Sequence, residues 1–284
     1  MLSVHTNSAS LSAQNAVTRA SRANTTSATR LSTGYRVNSA MDDAAGLQIA
    51  TRLSAQSSGM TVAMRNIQNG ISLMQVADTV AGSMVDAFSR MHDLAIQAAD
   101  ASTTQADKTA LQGEFVALFW HAWDVVATTY NGESLYVDTG AAGSDKLMQP
   151  LKFQIGDSSS DVLTGDIRSS LLNTLGVGLA YSNSQLEDVL TSHASDAIEN
   201  MSEAINAWAG VRSATGAVSN TLEHAYNNLA TMLSNTQAAT GRIMDTDYAT
   251  ESANATSSQM LMQASTSMLK QSNSTVQLTL SLIS

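Results

Sequence analysis

Residues 49–98 read IATRLSAQSSGMTVAMRNIQNGISLMQVADTVAGSMVDAFSRMHDLAIQA, and they carry the clearest periodicity in the chain. Apolar side chains recur in it at steps of three and four residues, with one missed step at Gln56. This heptad-like spacing is typical of a helix that packs along a partner helix. The apolar positions are Ile49, Leu53, Met60, Ala63, Ile67, Ile71, Met74, Ala77, Ala81, Met84, Phe88, Met91 and Ala95.

A second stretch has the same rhythm and a similar length, so we predict that the two helices are antiparallel partners in one bundle. Its positions are Ile198, Met201, Ile205, Trp208, Val211, Thr215, Val218, Leu222, Ala225, Leu229, Met232 and Thr236. A third helix is predicted over residues 105–128, with Ser102 or Thr103 as its N-cap. Its apolar face would consist of Leu111, Phe115, Leu118, Ala122 and Val125.

A small β-hairpin element is predicted at residues 130–167. Asn131 and Gly132 favour a turn, because both residue types tolerate positive φ. Residues 135–137 and 151–155 have the pattern of short strands. The fold class is therefore mainly α, with long antiparallel helices in a bundle or coiled coil.

The composition suits long helices. Pro150 is the single proline in 284 residues, and proline costs about 3 kcal/mol inside a helix. Aromatic residues make up only 5% of the chain, which favours extended elements over one compact globule. Cysteine is absent, which excludes disulfides and thiolate metal sites.

The charge is unevenly distributed. Residues 1–48 carry a net charge of +2 and residues 240–284 a net charge of −1, so the middle holds 8 basic and 19 acidic residues. An acidic centre disfavours nucleic acid as a partner. No apolar run reaches the roughly 20 residues of a membrane span, and the opening residues do not resemble a Sec signal peptide.

The two ends, residues 1–44 and 245–284, are rich in Ser, Thr, Asn, Gln and Ala. Neither end has enough large apolar side chains to offset the entropy of ordering it. We expect each end to be disordered in the isolated subunit and to fold when many copies pack side by side.

Four stretches of this sequence resemble the bacterial flagellins. At the N-terminal side, residues 30–46 read RLSTGYRVNSAMDDAAG, residues 47–53 read LQIATRL and residues 65–72 read RNIQNGIS. Residues 242–251, RIMDTDYATE, look like the C-terminal signature of the same family. The first 15 residues are similar to lateral flagellins in particular.

The resemblance implies a filament subunit with only the two inner layers of a flagellin. Residues 1–44 and 245–284 would form a terminal coiled coil at the filament core, and residues 45–244 the helical bundle around it. The chain would be extracellular, exported by the flagellar type III apparatus without a Sec signal. Its partners would be other copies of itself, the cap and hook-junction proteins, and an export chaperone at the C-terminal segment.

The resemblance also supplies candidate contact residues. Candidates for contacts between subunits are Arg30, Arg36, Asp42, Asp43, Arg52, Arg242 and Asp247. Asp42 and Asp43 suit a helix N-terminus, and Gly34 and Gly46 permit turns between helical pieces. The alternative is that all of these residues form ordinary caps and turns within one subunit.

A Toll-like innate receptor is a further partner that the resemblance implies. The matching positions are Arg90, Leu94 and Glu114. The alternative is that Leu94 belongs to the core and that the two charges are only surface residues.

Some positions depart from the family pattern. Met41 stands where the family usually has Lys, and Phe119, Trp120, His121 and Trp123 replace a polar, acidic helix face. Two of these four could enter the core, or they could form an exposed contact patch.

No catalytic, metal or cofactor motif is evident, so an enzyme is not expected. Two other functions remain open from the sequence. One is a hook–filament junction protein, and the other is a surface carbohydrate-binding homologue.

Overall fold

In the computed structural model the chain is mainly helical, as predicted. The structure describes residues 7–136, 145–175 and 186–283, with side chains as far as Leu278. Within these ranges there are seven α-helices and four short strands. In chain order they are α1 (Ser8–Thr33), α2 (Ala44–Ala99), α3 (Gln105–Val126), β1 (Thr129–Tyr130), β2 (Glu133–Ser134), β3 (Leu151–Gln154), β4 (Val162–Gly165), α4 (Arg168–Leu175), α5 (Val189–Ser192), α6 (Ala194–Met244) and α7 (Tyr248–Ile283).

The chain divides into two compact units. Unit 1 consists of residues 1–57 and 234–284, and unit 2 of residues 58–233. The assignment of filament layers to residues 1–44 with 245–284 and to residues 45–244 concerns the assembled filament and stays a prediction.

Helices α2 and α6 are antiparallel partners in unit 2, as predicted. Gln68 Nε2 donates to the Tyr226 hydroxyl at 3.3 Å, and Arg212 Nε donates to Asp78 Oδ1 at 3.1 Å. Residue numbers rise along one helix as they fall along the other, which establishes the antiparallel direction.

The core of unit 2 follows the two predicted stripes. The buried members include Met60, Ala63, Ile67, Met74, Ala77, Ala81, Met84, Phe88, Met91, Ala95, Met201, Trp208, Val211, Thr215, Leu222 and Leu229. The far ends of the stripes differ from the prediction, because Ile49 and Met232 are exposed. The periodic pattern thus continues beyond the region in which the helices share a core.

Helix α3 begins one residue after its N-cap, which is Thr104 and not Ser102 or Thr103. The Thr104 hydroxyl accepts from the Asp107 amide at 3.3 Å, and Asp107 Oδ2 accepts from the Thr104 amide at 3.2 Å. This reciprocal pair is a capping box. Thr103 instead donates to the Gln97 carbonyl at 2.7 Å, at the end of α2.

The buried face of α3 is rotated slightly from the predicted one. Phe115, Phe119, Ala122 and Val126 are buried, whereas the predicted Leu111, Leu118 and Val125 are only partly buried. Of the four unusual residues at 119–123, Phe119 enters the core, Trp123 is half-buried and His121 is exposed. Trp120 is 45% exposed and packs edge-to-face on Phe119, with 5.7 Å between ring centroids.

Gln112 is a buried polar residue that the sequence pattern did not reveal. Its Nε2 donates to the Leu186 carbonyl at 2.6 Å, and its Oε1 accepts from the Leu190 amide at 2.6 Å. Both ends of the amide are therefore satisfied, and they tie α3 to the chain around α5.

Two β-hairpins are present where one was predicted. Asn131 and Gly132 form the first turn, with φ values of 54° and 82°, as predicted. The strand after this turn is Glu133–Ser134, so the prediction of a strand at residues 135–137 is wrong for Leu135 and Tyr136; Val137 lies outside the described residues. The second hairpin pairs Leu151–Gln154 with Val162–Gly165.

Tyr136 leaves the sheet because its side chain enters the core. Its hydroxyl donates to the Ala77 carbonyl at 2.6 Å, and its ring packs edge-to-face on Trp208, with centroids 5.4 Å apart. Burial of the ring and its satisfied hydroxyl outweigh continued strand pairing.

We expect opposite effects from alanine at two helical glycines of unit 2. A Cβ at Gly70 would lie 2.9 Å from the Phe153 ring, whereas a Cβ at Gly216 would meet nothing within 4 Å. Gly70→Ala should therefore lower the melting temperature, because the Phe153 ring must shift from its position against α2. Gly216→Ala should raise the stability by about 0.5–1 kcal/mol, or roughly 1–4 °C in melting temperature.

Thermal unfolding followed by circular dichroism measures both changes. A Gly70→Ala variant that melts at or above the Gly216→Ala variant would contradict the packing of β3 on α2.

Candidate subunit interface

The side on which α1 and α7 face each other is made mainly of small and polar residues. Asn7 Nδ2 donates to Ser272 Oγ at 3.1 Å, and the Tyr248 hydroxyl donates to the Leu31 carbonyl at 3.1 Å, so these helices are also antiparallel. We call the residues between them the terminal seam. They are Ser10, Ala13, Val17, Ala20, Asn24, Ser27, Leu31, Glu251, Ala255, Ser258, Met262, Ser265, Leu269, Ser272 and Val276.

The terminal seam has the steps of three and four residues of a coiled coil, but it contains few large side chains. Its fully buried members are Ala20, Ser27, Glu251 and Ser258. A fully buried Leu or Met contributes about 1.5–3 kcal/mol, and none of these four residues is of that kind. Apolar burial within the pair is therefore modest.

Five large apolar residues of these two helices point away from the terminal seam. Leu11, Met260, Leu261, Met268 and Leu278 are all more than half exposed. Residues 252–269 contain no charged side chain. Exposed apolar surface without charge is characteristic of a protein contact. We call Met260, Leu261 and Met268 the outer α7 surface.

Two linkers meet where α1 and α6 end. Gly34 ends α1 with φ of 76°, which a residue with a side chain rarely adopts. The Arg36 amide donates to the Met244 carbonyl at 2.6 Å, and the Thr246 amide donates to the Gly34 carbonyl at 2.9 Å. Tyr35 and Asp245 thereby form an antiparallel bridge.

Arg36 is used inside the subunit. Its Nη2 donates to the Ile243 carbonyl at 2.8 Å, in the last turn of α6. A cation at this position complements the partial negative charge of the helix C-terminus.

Asp42 organises the loop before α2. Its Oδ2 accepts from the Ser39 amide at 2.9 Å, from the Ser39 hydroxyl at 3.0 Å and from the Asn38 amide at 3.2 Å. These hydrogen bonds, led by the Ser39 hydroxyl, together with a weaker attraction from Arg30, hold the pKa of Asp42 below its ordinary value of about 3.8.

Asp43 caps α2, as its position suggested. Its Oδ1 accepts from the Gly46 amide at 2.8 Å. Gly46 lies inside the first turn of α2, so its predicted role as a turn between helices is wrong. A Cβ at Gly46 would collide with the Asp43 carboxylate, so glycine leaves room for the cap.

Arg30 connects the terminal seam to a cleft. Its Nη1 lies 3.6 Å from Glu251 Oε2, and the Glu251 side chain is buried. Arg30, Arg22 and Asp42 line a cleft of about 560 Å³ whose wall includes threonines of α1. Arg30 Nε is buried and has no hydrogen-bond acceptor among the described residues.

Asp247 caps α7. Its Oδ2 accepts from the Thr250 hydroxyl at 2.8 Å and its Oδ1 from the Ala249 amide at 2.9 Å. Hydrogen bonds from the Thr250 hydroxyl, and then from the Ala249 and Thr250 amides, lower the pKa of Asp247. Arg52 on α2 and Arg242 on α6 are exposed.

The seven contact candidates are thus only partly brought together. Arg30 and Asp42 share the cleft, Asp43 caps α2, and Arg36 and Asp247 hold the two linkers and the start of α7. Arg52 and Arg242 are exposed. Sequence reasoning did not single out Glu251 and Tyr248, although the heptad spacing places Glu251 in the terminal seam.

Two of the three candidate receptor residues are exposed, and the third is buried. Arg90 Nη2 lies 2.7 Å from Glu114 Oε1, and both side chains are exposed. Leu94 is 1% exposed and belongs to the core of unit 2, so it presents no surface. Receptor contact stays a prediction, and in this subunit it concerns Arg90 and Glu114.

The described residues contain no group of three or more metal-ligating side chains. None of their helices combines the length and the apolar character that crossing a membrane requires.

Two family models match this chain. Residues 4–141 match the bacterial flagellin N-terminal helical region, and residues 198–283 match the bacterial flagellin C-terminal helical region. The chain belongs to the bacterial flagellin family.

Individual proteins agree with this assignment. A flagellin of Halalkalibacterium halodurans is 35% identical, with 89% of each chain aligned, and a flagellin of Listeria monocytogenes is 32% identical, with 99% of each chain aligned. A putative flagellar hook-associated protein from Vibrio parahaemolyticus shares the fold, with a TM-score of 0.56 and 12% identity. That alignment covers 72% of this chain and all of the other.

This flagellin is a structural subunit of the bacterial flagellar filament, exposed outside the cell and self-polymerising, and it is not an enzyme. Its function therefore resides in surfaces between copies, not in a reaction site.

The caps formed by Asp42 and Asp247 should make the stability of this flagellin depend on acid pH. Their lowered pKa values mean that the stabilisation is complete above the unfolded-state pKa and is lost as pH falls through the folded-state pKa. The melting temperature should hold from neutral pH to about pH 4 and drop below it as these carboxylates protonate.

The double variant Asp42→Asn and Asp247→Asn should already melt lower at neutral pH and lose less on acidification. Circular dichroism melts between about pH 7 and pH 2.5 measure this dependence. An acid-induced drop of equal size in the variant and the wild type would refute the roles of these two carboxylates.

Proposed function

We propose that unit 1 carries the contacts through which this flagellin polymerises, and that α1 and α7 become fully ordered only in the filament. The observation that carries the proposal is the arrangement of α1 and α7. Their mutual contact uses small and polar residues, while Leu11, Met260, Leu261, Met268 and Leu278 remain exposed. Neighbouring copies would bury these side chains and supply the apolar stabilisation that the pair lacks.

Arg30 supports the same proposal. Its Nε is buried without an acceptor, and a buried unpaired donor costs about 1–3 kcal/mol. A carbonyl or carboxylate from the next copy, entering the cleft beside Asp42, would remove this cost. The shape of this contact is fixed by the hydrogen bonds that Arg36, Asp42, Asp43 and Asp247 make inside the subunit. Arg52 and Arg242 remain exposed for contacts of their own.

Unit 2 would remain a folded body whether or not copies assemble. It has a continuous core that includes Phe88, Phe115, Tyr136 and Trp208. Burial of such large side chains stabilises a domain without help from another copy.

We further propose that the filament is of the lateral type that serves swarming, which the resemblance of residues 1–15 supports. The polar composition of the ends suits export as an unfolded chain through the flagellar type III apparatus. The outer α7 surface would be held by an export chaperone before release. The cap and hook-junction proteins would contact the same terminal helices at the two ends of the filament.

Truncation tests the division between the units. Removal of residues 1–44 and 245–284 should leave a folded, soluble monomer, because the core of unit 2 is retained. It should not polymerise, because α1 and α7 are gone. Sedimentation and electron microscopy after seeding or salt addition compare it with the full-length chain, and filaments of the truncated form would overturn the proposal.

Receptor recognition has its own test. If the exposed Arg90–Glu114 pair is a receptor contact, Arg90→Ala should weaken activation of the Toll-like receptor in a reporter assay. Arg212→Ala is the matched control, since Arg212 forms a similarly exposed pair with Asp78 at 3.1 Å. Equal activation by both variants would refute this contact, and equal melting temperatures would exclude an effect through folding.

A further inference from the structure

The methionines of this chain differ sharply in exposure. Met260 and Met268 on α7 are 60% and 66% exposed. By contrast, the methionine side chains in the core of unit 2 are almost fully buried. They are Met60, Met74, Met84, Met91 and Met201, all at 1% or below.

Met260 and Met268 lie on one side of α7. They are eight residues apart with Ala264 midway, and positions four residues apart are neighbours on a helix surface. Neither belongs to the terminal seam, and both side chains are exposed in the isolated subunit. Leu261 extends the same surface, and no charged residue lies between Ser252 and Leu269.

We propose that Met260 and Met268 are oxidation sites, at which hydrogen peroxide converts the thioethers to sulfoxides and thereby blocks addition of the subunit to a filament. The inference rests on the proposed role of the outer α7 surface as a contact between copies.

The chemistry requires only a peroxide. The thioether sulfur attacks one peroxide oxygen, the O–O bond breaks, a sulfur–oxygen bond forms, and the other oxygen leaves as water after proton transfer. Sulfur loses two electrons and the peroxide gains them. The product is a polar, chiral side chain in place of a flexible apolar one, and methionine sulfoxide reductases can reverse the change.

The occupant of this surface is a second copy of the chain. The family self-polymerises, and an uncharged apolar surface can pack against identical copies without like-charge repulsion. Packing a second copy against the oxidised surface would strip water from the sulfoxide oxygen, a desolvation cost that the thioether does not carry. The modified surface should therefore pack less favourably.

The first experiment treats full-length monomer with graded hydrogen peroxide. Peptide mass spectrometry measures the sulfoxide at each methionine, and seeded sedimentation measures assembly. Met260 and Met268 should oxidise well before the five core methionines. The monomer concentration needed for assembly should rise at least about tenfold as they do.

Two double variants separate these sulfurs from other exposed ones. Met260→Leu with Met268→Leu should assemble normally and keep assembling after peroxide treatment. Met41→Leu with Met232→Leu is the matched control, because Met41 is 97% exposed and Met232 is also exposed, yet neither lies on α7. The control should remain as sensitive to peroxide as the wild type. Equal sensitivity of both double variants would overturn the proposal.

A third variant distinguishes failure of this inference from failure of the proposed contact. Met260→Gln with Met268→Gln introduces polar side chains of similar length without oxidant, and Gln is a good helix former. Normal assembly of this variant would refute the outer α7 surface as a contact. If this variant fails to assemble but fully oxidised wild type still assembles, the contact stands and the oxidation proposal is refuted.

Discussion

The antiparallel packing of α2 on α6 is the interaction on which the rest of unit 2 depends. Both helices run for more than 50 residues, and they share an uninterrupted core. Large side chains from the other elements pack on this pair. Tyr136 binds the Ala77 carbonyl, Phe153 packs at Gly70, and Phe119 fills the core from α3. The single proline of the chain, Pro150, lies outside both helices, so no proline interrupts either of them.

Unit 1 is built on a different balance of forces. Its two terminal helices are aligned by hydrogen bonds near each end and by the Arg30–Glu251 pair, and apolar burial between them is small. A charged pair in such a seam fixes the register more than it adds stability. A subunit that must exist both alone and in a polymer gains from this arrangement. The helices are set in register, while their apolar surface remains available to other copies.

The sequence predicted the long helices because their apolar period extends over many turns, and it predicted the Asn131–Gly132 turn because that dipeptide has a specific backbone preference. It did not predict Thr104 as the cap or the end of β2 before Leu135. The position of the cap and the end of the strand depend on which side chain finds a hydrogen-bond partner in the folded chain. Gln112 was missed for the same reason, since its two partners lie more than 70 residues away.

The candidate interface was predictable in outline only. Family resemblance identified Arg30, Arg36 and Asp42 as contact residues, but the structure also gives each a role within the subunit. A sequence cannot show that Arg36 reaches the Ile243 carbonyl, because the two residues meet only when the linkers pair. Likewise Leu94 fits a surface motif by position, yet the direction of its helix face places it in the core.

The three tryptophans, Trp120, Trp123 and Trp208, all lie in unit 2, and unit 1 has none. Indole fluorescence of this flagellin is therefore a local probe. Emission will follow the environment of α3 and of the shared core around Trp208, whereas the terminal helices contribute only tyrosine. Fluorescence excited at the red edge of the absorption band therefore reports on unit 2 alone. Folding, unfolding or assembly of unit 1 leaves this signal unchanged unless it alters the surroundings of a tryptophan.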